Sequence, residues 1–283
     1  MATEVKPREG FVVRRTHDDV NELKLHYLDW GNETAQPMLL LHGFTSHAHS
    51  WDTFAGALQD RFHIVALDQR GHGESDWASE YTMASAIGDV DVVVKQLGLQ
   101  NMVLVGLSMG GSRSIHYAAA HPDEVERLVI VDIGPEIPTA GSARVAASAQ
   151  AKDEFDSEDE AFRQARAGNP RADEQQMRVR LRHNLKQLPN GKLTWKWDKA
   201  LRDPSQPRPR PQPEENWAAV HTISCPTLLV RGAESDVLAA DTAERMRREM
   251  KDCTLVTIAG SGHPVPMDRP VEFEAAVRSW LGV

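Results

Sequence analysis

The sequence predicts an α/β fold: a mostly parallel, eight-stranded sheet with helices on both faces and a helical cap inserted after the sixth strand. Three observations carry this expectation. Short apolar runs of strand length alternate with helix-like segments through most of the chain. The stretch 101–111, N-M-V-L-V-G-L-S-M-G-G, reads as a strand, a sharp turn and the start of a helix. Between about residues 134 and 220 the alternation stops and no strand is read. That break divides the chain into a core, 1–134 and 220–283, and a cap, 135–219.

Residues 11–15 and 23–28 read as an opening antiparallel pair around the polar turn His17-Asp18-Asp19. P-M-L-L-L-H over 37–42 is continuously apolar, as in a strand buried on both faces, and ends at His42-Gly43-Phe44. A short helix over 50–58 leads to a second buried strand, 62–68, closed by D-Q-R-G-H-G-E-S. Thr82 is placed to cap a helix running to Leu97, with Gly98 as its stop. The strand before Ser108 and the helix after it follow, then a strand over 125–131. The cap carries helical stretches near 143–151, 158–167 and 173–188 and closes on a proline-rich connector, 204–213. Strands at 227–231 and 254–258, each followed by a helix, complete the chain.

Composition is that of an ordinary globular protein, with 41% apolar and 26% charged residues. The net charge of −9 disfavours binding to nucleic acid or to an anionic membrane surface. No apolar run reaches membrane-spanning length, and the first ten residues contain no secretory signal, so a cytoplasmic monomer or homodimer is expected. Cys225 and Cys253 each precede an apolar run and read as core packers.

The motif G-x-S-x-G at Gly106, Ser108 and Gly110 places a serine on a tight turn between strand and helix, the setting of an activated nucleophile. Such a serine needs an imidazole to take its proton and a carboxylate to orient that imidazole. His263, in the glycine-rich loop G-S-G-H-P after the last strand, opens at the same sheet edge and is the candidate base. Two carboxylates meet the third requirement. Asp236, after the seventh strand, is the first choice, and Asp132, at the end of the sixth, is the alternative. The amide of Met109 and that of Phe44, beside Gly43, are the candidate oxyanion donors. His42 reads as a hydrogen-bonded buttress for that loop. His47-Ala48-His49 lacks a neighbouring cysteine or carboxylate cluster, so no metal site is read from it.

H-G-F, D-Q-R-G-H-G-E-S, G-L-S-M-G-G and G-S-G-H-P, in this order, resemble the motifs of the α/β-hydrolase superfamily, and the insertion is similar to the lid of its capped members. The resemblance implies hydrolysis through an acyl-enzyme without a cofactor, on a small-molecule substrate. Ser108 departs from the aspartate nucleophile of haloalkane dehalogenases and epoxide hydrolases. Leu107 and Pro264 depart from the asparagine and tryptophan of many C–C hydrolases. The expectation is therefore a serine hydrolase of a small carboxylic ester, lactone or activated amide. C–C bond hydrolysis of a dienoate or β-diketone and a silent ligand-binding role are the alternatives. Arg144 and Arg166 are candidates to clamp a substrate carboxylate, and Trp195 to line the pocket beside it.

Overall fold

The structure is a computed structural model describing residues 6–15, 22–149, 152–201, 203 and 211–283. In chain order, the core opens with β1 (Arg8–Arg15), β2 (Glu22–Asp29) and β3 (Gln36–Leu41). A 3₁₀ turn (Ala48–Trp51) leads to α1 (Asp52–Leu58) and β4 (Phe62–Leu67). α2 (Met83–Leu97), β5 (Met102–Leu107), α3 (Met109–Ala120) and β6 (Val125–Val131) follow. The cap contains α4 (Thr139–Ala149), β7 (Glu154–Phe155), α5 (Glu158–Gly168), α6 (Glu174–Asn184), β8 (Leu185–Gln187) and β9 (Leu193–Trp195). The chain then returns through α7 (Pro213–Thr222), β10 (Thr227–Gly232), α8 (Ala240–Glu249) and β11 (Cys253–Ile258) to α9 (Val265–Asp268) and α10 (Pro270–Leu281).

The main sheet has eight strands in the order β1-β2-β4-β3-β5-β6-β10-β11. β1–β2 and β2–β4 are antiparallel pairs, and the pairs from β4 through β11 are parallel. The central strands are apolar throughout because both of their faces are covered, and their alternation decides which layer each side chain joins. Leu39 and Leu41 of β3, Leu104 of β5 and Ile130 of β6 join the layer of α2, α3 and α8. Met38, Leu40, Val105 and Val131 join the opposite layer of α1 and α10, around Trp51, Phe54 and Phe273. α2 begins and ends on the signals read from sequence. Thr82 and Ser85 form a reciprocal capping box, and Gly98 closes the helix at φ +67°.

The cap differs from its expected form in one respect. It is not purely helical: β7, β9 and β8 make a small antiparallel sheet. Its own core holds Phe155, Phe162, Leu181, Trp195 and Trp197, with Phe155 and Trp195 edge to face at 5.0 Å. α7 packs with the main core, where Trp217 and Val220 are buried. Most of the proline-rich connector lies outside the described residues. No helix among the described residues is long and apolar enough to cross a membrane.

Candidate active site

β5 delivers Ser108 to the carboxyl edge of the sheet, where the chain turns abruptly into α3. The turn holds Ser108 at φ +54° and ψ −114°, outside the ordinary regions for a residue with a Cβ. Such a turn needs close packing on both sides. A Cβ on Gly106 would sit 2.5 Å from the carbonyl oxygen of Gly110, and one on Gly110 would sit 2.2 Å from that of Leu41. The two motif glycines are therefore required by backbone approach.

His263 reaches the serine from the loop between β11 and α9. Its Nε2 lies 2.8 Å from Ser108 Oγ, and its Nδ1 lies 2.8 Å from Asp132 Oδ2. Asp132 ends β6 at φ +51°, a left-handed conformation that aspartate tolerates better than most residues. It is fully buried, and every other contact of its carboxylate is a donor. Gly232 N–H donates to Oδ1 at 2.8 Å, and the Ser235 hydroxyl donates to Oδ2. Asp236, the first choice from sequence, does not contact His263. Its half-exposed carboxylate accepts two hydrogen bonds from Arg144 of α4, at 2.6 and 2.8 Å. Hydrogen bonding to Arg144 holds Asp236 below its ordinary range, while partial burial opposes this. In R-G-A-E-S-D it is Ser235, not Asp236, that bonds the carboxylate facing His263.

The loop after β3 lies against the nucleophile, since a Cβ on Gly43 would be 3.5 Å from that of Ser108. The amides of Phe44 and Met109 have no hydrogen-bond partner among the described residues, and both residues line the cavity at Ser108. Met109 is also the first residue of α3, so its amide adds the partial positive charge of a helix N-terminus. The loop is held from behind. His42 Nδ1 lies 2.8 Å from the Gly43 carbonyl, and its Nε2 accepts from Gln69 N–H at 3.1 Å. The cap reaches the same loop, with Asn184 Nδ2 donating to the Thr45 carbonyl at 2.9 Å.

Buried histidines behind the loop give the fold an acid sensitivity. Burial, against the opposing pull of Asp68, lowers His42 from 6.5 to about 4 and His47 to about 3, and His72 lies well below 6.5. Each histidine is neutral in the folded chain and takes a proton more readily when unfolded. Stability should therefore fall as pH drops below about 6.5, by up to about 1.4 kcal/mol per pH unit for each histidine. Asp68 has the opposite requirement: burial disfavours its charge, but hydrogen bonds from His26 and Glu74 N–H outweigh this and hold it well below its usual range. Its contribution is lost only below the ordinary carboxylate range, outside this window. Urea midpoints should decline steadily between about pH 7 and pH 5 with an unchanged slope. A flat profile would refute the assignment.

A cavity of about 410 Å³ opens at Ser108 between core and cap. Its walls are largely apolar: Phe44, Met83, Ile133, Ile137, Val145 and Val237 are among the lining residues. Of these, only Phe44 stood out in the sequence, although I-G-P-E-I after β6 carried two of the others. The three cap residues expected to touch substrate do not line the cavity. Arg144 is committed to Asp236, Arg166 donates to the Ala172 carbonyl, and Trp195 is buried in the cap core. Two charged side chains are among the described lining residues. Arg113 donates to Gln69 at 2.8 Å, and Glu136 accepts from the Trp217 indole at 2.5 Å.

A strand–elbow–helix serine facing a histidine and a strand-end aspartate under a cap defines a class, and comparison with known proteins agrees. Residues 38–276 match the model of the Alpha/beta hydrolase family, and the chain belongs to that family. It is 31% identical over 263 residues to Esterase Rv0045c of Mycobacterium tuberculosis, covering 90% of this chain and 85% of the relative. It is also 31% identical over 283 residues to the sn-1-specific diacylglycerol lipase ABHD11 of Mus musculus, covering 93% and 87%. The crystal structure of E-2-(acetamidomethylene)succinate hydrolase aligns with a TM-score of 0.82 at 25% identity, over 97% of this chain and all of that one, 100%.

Proposed function

We propose that this protein is a serine hydrolase that cleaves small carboxylic esters, lactones or activated amides with a neutral, apolar acyl group. The observation that carries this is the continuous chain from Ser108 through His263 to Asp132, with two 2.8 Å links, opening into an apolar cavity. Ser108 Oγ attacks the carbonyl carbon as its proton passes to His263 Nε2. Asp132 holds the other imidazole proton at Nδ1, fixing the tautomer and stabilising the imidazolium that forms. The Phe44 and Met109 amides receive the oxyanion. Collapse expels the alcohol with the proton from His263, leaving an acyl-Ser108 ester. Water, activated by the same imidazole, then releases the acid and restores the serine. The esterases and lipases among the relatives support this chemistry. The largely apolar lining favours a neutral acyl group over a carboxylate-bearing one.

A fluorophosphonate probe should label the chain once, with the adduct mapped to the peptide containing Ser108. No adduct, or one elsewhere, would overturn the proposal. Among p-nitrophenyl esters, kcat/KM should rise roughly fourfold per added methylene from acetate until the cavity is filled, the equivalent of about 0.8 kcal/mol for each. A hemisuccinate ester should be poorer than the butyrate. The reverse order would exclude the apolar acyl site.

A further inference from the structure

Outside the catalytic cavity, chemistry-bearing side chains gather at the seam where α6 of the cap meets the turn after β3. His49 lies on the 3₁₀ turn, Asp52 begins α1, and His183 sits in the last turn of α6. Their donor atoms all lie within 4.8 Å of one another. His49 Nδ1 is 3.0 and 3.1 Å from the two Asp52 oxygens, and the His49 and His183 rings stack with centroids 3.7 Å apart. His49 and His183 line a cavity of about 370 Å³ that does not include Ser108 or His263. A third imidazole, His47, lines the same cavity, with its ring centroid 6.2 Å from that of His183. His47 is 3% exposed, and its Nδ1 has no hydrogen-bond partner among the described residues.

We propose that His49, Asp52 and His183 form a binding site for a divalent transition-metal ion of the zinc class, joining cap to core. Two imidazoles and a carboxylate make a borderline donor set, suited to Zn²⁺, Co²⁺, Ni²⁺ or Cu²⁺ and poorly suited to Mg²⁺ or Ca²⁺, which prefer oxygen alone. Among the described lining residues the one lysine or arginine, Lys196, is paired with Glu74. Closing on an ion with bonds of about 2.1 Å requires the stacked His49 and His183 rings to turn so that their in-plane lone pairs converge. His47 lies outside this donor group, its ring centroid 6.3 Å from that of His49. The neighbouring residue Asn184 holds the Thr45 carbonyl, one position from Phe44. An ion here would therefore tie the cap to the loop that carries a proposed oxyanion donor.

Cobalt titration of the chelator-stripped full chain tests this directly. The expected result is about one equivalent bound, with visible d–d bands, and displacement of the cobalt by zinc. His49→Gln and His183→Gln should each weaken binding by about 100-fold or more, with unchanged circular dichroism as the check on folding. His263→Ala should keep the site, separating it from the imidazole at Ser108. Zinc should also raise the melting temperature of the wild type but not of His183→Gln. Absence of cobalt binding, survival of the bands in either glutamine variant, or their loss only in His263→Ala would overturn the assignment. None of these readouts depends on hydrolysis, so the proposed catalytic function stands or falls separately.

Discussion

Asp132→Asn is expected to lower kcat for ester hydrolysis by about 10⁴, the scale seen when a triad carboxylate becomes an amide. The replacement is close to isosteric, and asparagine accepts a left-handed backbone at least as readily as aspartate, so the φ of +51° is no obstacle. The loss comes from proton bookkeeping. Asp132 accepts from Gly232 N–H and the Ser235 hydroxyl and faces His263 Nδ1, and an ionised carboxylate can serve all three as acceptor. An amide has one oxygen. Its NH₂ would face Ser235 or His263, and by donating to His263 Nδ1 it would move the ring proton to Nε2. That tautomer points a donor at Ser108 and cannot take its proton. The same substitution at Asp236 removes only a half-exposed pair with Arg144, worth at most about 1 kcal/mol, and should change kcat by less than about fivefold. Rates for the two variants on one p-nitrophenyl ester decide between the carboxylates. A larger loss in Asp236→Asn would reverse the assignment.

Much of this architecture was legible from local patterns. The runs at Met38–Leu41 and Met102–Leu107 announced doubly covered strands, and Thr82 and Gly98 marked both ends of α2. Ser108 and His263 were legible for the same reason: each belongs to a glycine-bearing turn at a strand end, a local feature. The aspartates were not separable, because both occupy loops at the same edge. What distinguishes them is remote in sequence. Arg144 occupies Asp236 from 92 positions away, and Ser235 supports Asp132 from 103 away. The cap sheet escaped for a related reason. Its strands have two or three residues each, too few to show a period of two, and its register joins Phe155 to Leu193 across an intervening helical hairpin. The cavity walls are set by that packing, so the arginines of the cap looked free in sequence when α4 and α5 had already committed two of them.

Ser108→Ala is expected to reduce kcat by at least about 10⁵, leaving only what the oxyanion donors and substrate binding supply. Its stability should change little, because the lost hydrogen bond to His263 is partly exposed and worth about 1 kcal/mol. Ser108→Gly separates the chemistry from the strain. Alanine keeps a Cβ at φ +54° and ψ −114°, where the backbone cost is about 1–3 kcal/mol. Glycine relieves that cost and gives back about 0.5–1 kcal/mol through its freer unfolded chain. The glycine variant should thus be as inactive as the alanine variant yet more stable than it by about 1 kcal/mol. Urea denaturation of the two, alongside hydrolysis rates, reads both quantities. If alanine retained more than about 1% of wild-type kcat, Ser108 could not be the nucleophile. If glycine were the less stable variant, the elbow would not be strained in solution. The combination expected here, lost turnover with gained stability, would mean that the turn is kept tight because attack on a carbonyl requires an exposed hydroxyl, at the expense of the fold that holds it.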